Sequence, residues 1–159
     1  MGLFAPAWKS QNEEKAVKAV EKIKDEAKLA RVVKEARCGK ACEAAIKMLT
    51  DQSLLAYIAI NDEHGWVQKE AVKRITNFEF LKKVVLENSN YFVREEAVKK
   101  ITDLEFLKKV VFEDPDRNVR VEAVKKITDL EFLEKVVLEG TDRNVREVAL
   151  HKITNQMHI

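Results

Sequence analysis

Apolar and polar positions along the chain repeat with a period of 26 residues. "VKKIT" at Val98 to Thr102 returns unchanged at Val124 to Thr128, with "VKRIT" at Val72 to Thr76 and "LHKIT" at Leu150 to Thr154. Ile23, Leu49, Ile75, Ile101, Ile127 and Ile153 mark the same register, so the whole chain is built on one unit. Within the unit from Asp116 to Thr141, Val119, Ala123 and Ile127 fall at i, i+4 and i+8 with Val124 beside them, which predicts an amphipathic helix, A. A second helix, B, is predicted after "ITD", with Leu130, Leu133, Val136 and Val137 on one face. Thr76, Thr102 and Thr128 are each followed three residues later by Glu79, Glu105 and Glu131, the spacing of a capping box.

Helices this short are marginal alone, because nucleation costs more than a few turns return. Stability must come from stacking, each hairpin burying its apolar face against its neighbours. The expected fold is therefore all-α: a right-handed α-solenoid of helical hairpins. Its parts are a capping segment at 1–11 and one repeat domain at 12–159, made of repeats 12–37, 38–63, 64–89, 90–115 and 116–141 and a terminal half repeat, 142–159. The small residue at Ala19, Ala45, Ala71, Ala97, Ala123 and Ala149 predicts close helix approach. Leu3, Phe4, Ala7 and Trp8, turned by Pro6, are expected to cap the first helix. At the other end the chain reads "TNQMHI" where a sixth helix B would begin, so Met157 and Ile159, or a second molecule in an end-to-end homodimer, are expected to cover the last helix A.

The segments from Thr50 to Thr76 and from Asp114 to Thr128, with their "VR..AV.KIT" and "TD..FL..VV" cores, resemble the short HEAT-like repeats of bacterial and archaeal proteins. Leucine-rich-repeat variants, also short and all-helical, are the alternative label. The resemblance implies a superhelix whose surface binds a partner. It also implies a ladder of Asp116 and Asp142 with Arg94, Arg120 and Arg146, from which Gln68 departs. Some HEAT-like proteins are lyases or DNA-repair glycosylases.

Two surface columns are candidate sites. On the outer side of helix B, Ile60, Leu86, Phe112 and Leu138 share one repeat position, flanked by Tyr57, Lys83, Lys109 and Lys135. If exposed, these residues suit a protein or peptide partner; if the last turn frays, they fold back over the next hairpin. On helix A, Lys73, Arg74, Lys99, Lys100, Lys125 and Lys126 form a basic band that phosphates could follow, continued by His151 and Lys152. Glutamates one turn back dilute its field, so nucleic acid is the secondary expectation.

Composition narrows the rest. The charges nearly balance, 29 Lys and Arg against 27 Asp and Glu, which argues against a strongly electrostatic partner. Cys38, Cys42 and His64 match no standard zinc spacing, and no P-loop, GxSxG, HExxH or dinucleotide glycine pattern occurs. The expectation is a non-catalytic protein with no metal or cofactor. The run "MGLFAPAW" is too short for a signal-peptide core, Pro6 breaks the myristoylation pattern, and no stretch reaches the roughly 18 apolar residues of a membrane span. With only two cysteines, the expected location is cytoplasmic.

Overall fold

The computed structural model describes residues 5–157, and within them the chain is all-helical. A 3-10 turn at Ala7–Lys9 precedes eleven α-helices. The A helices are α1 (Glu13–Val20), α3 (Gly39–Met48), α5 (Gly65–Arg74), α7 (Tyr91–Lys100), α9 (Arg117–Lys126) and α11 (Arg143–Met157). The B helices are α2 (Glu26–Glu35), α4 (Gln52–Asn61), α6 (Phe78–Glu87), α8 (Leu104–Glu113) and α10 (Leu130–Glu139). Every start in each series lies 26 residues after the one before, so the sequence period sets the helix positions. None of these helices is long and apolar enough to cross a membrane.

The chain forms two compact units, Met1–Asn88 and Ser89–Ile159. In the first, α1, α3 and α5 are successive neighbours, as are α2, α4 and α6; in the second, α7, α9 and α11 are. The sequential pairs with the most extensive approach are B followed by A: α2 with α3, α4 with α5, α8 with α9 and α10 with α11. The structural hairpin is thus B–A, not the A–B hairpin suggested by reading the repeat from Asp116. Ile75, Ile101 and Ile127, which look helical in the pattern, cap their A helices in extended conformation, while their side chains remain fully buried.

The predicted core face of helix A holds. Val119, Ala123, Val124 and Ile127 are completely buried, as are Ala45, Ala71, Ala97 and Ala149 of the small-residue column. On helix B, Leu133 and Val136 are buried, but Leu130 is 43% exposed. It opens its helix, where a side chain points back over the linker rather than into the core.

The capping box is not formed. The cap is one residue later, where Asn77, Asp103 and Asp129 accept from the amides of Phe80, Phe106 and Phe132 at 3.4, 3.0 and 3.2 Å. Glu79 and Glu105 pair instead with Lys82 and Lys108, at 3.0 and 3.2 Å. Two linker threonines serve the next level up. Thr50 donates its amide to Glu26 at 3.1 Å, and Thr76 donates to Gln52 at 2.7 Å, so the first residue of one helix B ties down the start of the next. The Thr50 hydroxyl, which also donates to Glu26, holds that carboxyl below its ordinary range.

The ends differ from the middle. Trp8 is buried, and Lys9 bridges to Glu35 at 2.6 Å, which fastens the N-terminal turn to α2 as a cap would be. Ala7 is exposed, and Leu3 and Phe4 lie outside the described residues. At the C-terminal end α11 runs on through Met157, which is 73% exposed instead of folding back; Ile159 is outside the described residues. Leu150 is 53% exposed although Val72, Val98 and Val124, at the same repeat position, are fully buried.

Candidate functional site

The outer column of helix B stays in ordered helix. Asn88, Asp114 and Gly140 cap these helices and donate their amides to Val84, Val110 and Val136, so Leu86, Phe112 and Leu138 lie inside the last hydrogen-bonded turn. They do not fold back: Leu86 is 66% exposed, Phe112 42% and Leu138 84%, whereas Ile60 is half-buried.

In the first unit the exposed Tyr57 borders a cavity of about 270 Å³ between α2 and α4, walled also by Val33, Ile58, Asn61 and His64. Lys83 lies 4.0 Å from Glu87, one turn along α6. In the second unit, Phe112 packs edge-on against Phe132, with centroids 5.7 Å apart, and the Lys135 ammonium sits 5.8 Å from the Phe112 ring. Lys109 and Lys135 pair with Glu113 and Glu139 at 3.6 and 3.8 Å. Such exposed pairs contribute at most about 1 kcal/mol, so a partner's carboxylate can replace either glutamate at little cost. Each unit therefore presents apolar side chains with lysines one turn away.

The helix A band is already engaged. Lys73 and Lys125 pair with Glu70 and Glu122, and Lys99 pairs with Glu95 and Glu96, both at 2.9 Å, which raises its pKa. The other member of each couplet faces the preceding helix A. Arg74 donates to the Leu49 carbonyl at 3.4 Å, while Lys126 and Lys152 donate to the carbonyls of Lys99 and Lys125. These are helix C-terminal carbonyls, where the backbone dipoles favour a cation. Lys100 is likewise not free. Burial lowers the pKa of Lys152.

The expected Asp and Arg ladder forms only in part, since Asp116 caps α9 and Arg146 donates to the Gly140 carbonyl. Arg120 reaches Asp142 at 3.0 Å as expected, but Arg94 takes Asp114, not Asp116, through two bonds of 2.9 and 3.0 Å. Asp116 is occupied as an N-cap, accepting from the Asn118 amide at 2.8 Å. The position equivalent to Asp114 in the next repeat is Gly140, which has no carboxylate to offer, so Arg120 turns to Asp142. A second role unites the column. Gln68, Arg120 and Arg146 donate to the carbonyls of Asp62, Asp114 and Gly140 at 2.8, 2.7 and 2.7 Å, closing the end of the preceding helix B. Gln68 lacks the charge yet performs this capping. Reading charge type alone hides the shared carbonyl partner.

Cys38 and Cys42 occupy two structural columns. Cys38 is the N-cap of α3 and accepts from the Ala41 amide at 3.4 Å, the place filled by His64, Asn90, Asp116 and Asp142 in later repeats. Cys42 stands where Gln68 and the arginines stand, and its thiol donates to the Val33 carbonyl at 3.5 Å. His64 is exposed and lies 3.3 Å from Asp62. Among the described residues no group of three such side chains could hold a metal ion. Burial pushes the Cys42 thiol up to about 12. Since only the thiolate is nucleophilic, alkylation of Cys42 in the folded protein at pH 8 should run on the order of a thousandfold slower than for a free thiol near pKa 8.5. Mass-spectrometric labelling with and without urea checks this. Because the folded pKa is the higher one, the thiol costs nothing below about pH 8.5, and stability falls as the unfolded chain ionises above it.

A further apolar column was not anticipated: Phe78, Leu104 and Leu130, the first residues of their B helices, are 49%, 46% and 43% exposed. The signal was available, since Glu26 and Gln52 fill the same position with polar groups that reach the next linker. No protein-family model, curated protein or solved structure matches this chain.

Proposed function

We propose that the chain is a short HEAT-like repeat array, its hairpins wound as a right-handed superhelix, and that it works as a non-catalytic cytoplasmic scaffold for a protein or peptide partner. The observation that carries the partner reading is the exposure of Leu86, Phe112 and Leu138 within ordered helix, each with a lysine one turn away. Apolar side chains repeated at one position are suited to a partner's apolar face, and lysines beside them to its carboxylates. The nucleic-acid alternative has less to work with, because the helix A cations are taken up by glutamates and backbone carbonyls.

The test compares the protein with a Leu86→Asp, Phe112→Asp, Leu138→Asp variant as bait in native lysate, with and without nuclease. The expected result is a nuclease-resistant partner retained by the parent and lost by the variant, with both giving the same circular dichroism. A partner that disappears on nuclease treatment and ignores the three substitutions would overturn the reading.

A further inference from the structure

At the N-terminal end of the first unit, the face of α1 and α2 not covered by later helices forms a groove of about 1180 Å³. Its floor includes Trp8, Ala19, Ile23 and Ala27, and its rim carries Lys15, Lys18, Lys22, Lys28 and Arg31 against one carboxylate, Glu14. Lys18 is paired with Glu14 at 2.6 Å and Arg31 with Glu35 at 2.9 Å. Among the described residues Lys15, Lys22 and Lys28 make no ion pair, which leaves three uncompensated cations around one apolar trough.

This charge distribution is not required by the repeat. Lys15 stands where the other A helices place Ala41, Val67, Val93, Val119 and Val145, all buried. A polar face would serve solubility with either sign of charge, and a balanced face would serve it best. Elsewhere on the A helices lysines are engaged by glutamates, as in Lys47 with Glu43 and Lys99 with Glu95 and Glu96, or by backbone carbonyls, as in Lys126 with Lys99 and Lys152 with Lys125. A second observation lies at the floor: among the described residues the buried Trp8 indole Nε1–H has no acceptor, leaving a hydrogen-bond donor unspent beside the groove.

We infer that this groove binds an acidic peptide segment, with apolar side chains on the floor and carboxylates against Lys15, Lys22 and Lys28. The apolar floor and the aromatic geometry favour peptide over nucleic acid. Trp8 is only 4% exposed and cannot stack on a base, and the single arginine is held by Glu35. The site is separate from the outer helix B columns and does not depend on their role.

The experiment titrates the full chain into a fluorescein-labelled peptide of Glu, Asp and Leu and follows anisotropy at low ionic strength. Saturable binding is expected, weakened about tenfold or more in a Lys15→Glu, Lys22→Glu, Lys28→Glu variant. A Lys73→Glu, Lys99→Glu, Lys125→Glu variant, with the same change in net charge, should bind as the parent does. The milder Lys15→Gln, Lys22→Gln, Lys28→Gln variant should lose less, and circular dichroism confirms that all three fold. The inference is overturned by equal loss in both charge-reversed variants, by equal binding of a Gln and Leu peptide, or by tighter binding of a single-stranded oligonucleotide. Loss of the peptide in the Leu86→Asp, Phe112→Asp, Leu138→Asp variant would also overturn it, by placing the peptide on helix B.

Discussion

Replacing Asp114 with alanine is expected to cost about 3–5 kcal/mol of unfolding free energy, because it leaves the Arg94 guanidinium buried without its counter-charge. The two side chains are 7% and 4% exposed and joined by a two-point contact at 2.9 and 3.0 Å, so little water reaches either. Asp114 also accepts from the Asp116 amide at 2.9 Å, and Arg94 donates to the Ser89 carbonyl at 3.1 Å, so the pair fixes the end of α8 against the entry to α7. The double change Arg94→Met, Asp114→Leu should recover most of the loss, since no buried charge then lacks a partner. Asp142→Ala is the internal comparison. Its bridge to Arg120 is more open, at 16% and 22% side-chain exposure, and Asp142 also caps α11 by accepting from the Asn144 amide at 2.8 Å, so the expected cost of losing both is about 1–2 kcal/mol. Urea titration followed by circular dichroism measures all three. Equal losses for Asp114→Ala and Asp142→Ala would show that burial does not set the worth of these pairs.

Leu107→Ala should cost about 2–5 kcal/mol, the range for deleting a buried leucine when the surroundings cannot collapse around the space. Leu107 is fully buried on α8. Leu138→Ala, on α10 and 84% exposed, should change stability by no more than about 0.5 kcal/mol. The contrast matters because both residues are leucines on B helices of the second unit. If Leu138→Ala proved as costly as Leu107→Ala, the residue would be part of the folding core and unavailable to a partner. The same urea titration decides it.

The repeat was legible because helix placement depends on local chemistry. Every helix start falls on the 26-residue period, and the Val119, Ala123, Val124 and Ile127 face is buried as the spacing requires, since side-chain direction along a helix follows from residue number. Shifts of one residue escaped the pattern for local reasons too. Asp103 and Asp129 outcompete the neighbouring threonines as caps, and the isoleucine that looks like the end of helix A is already extended.

The state of the candidate sites was not legible. Whether Leu138 is a core or surface leucine, and whether Lys126 is a free cation or a cap on Lys99, depends on groups up to 27 residues away in sequence. The same holds for Arg94, which finds Asp114 across 20 residues and passes over Asp116. By itself the sequence determined the period, the helices and the buried face of helix A, all of which follow from side-chain direction within one helix. Which helices pair, which charges are spent and which apolar residues stay open were decided only by the tertiary structure, because burial and ion pairing are properties of neighbours in space.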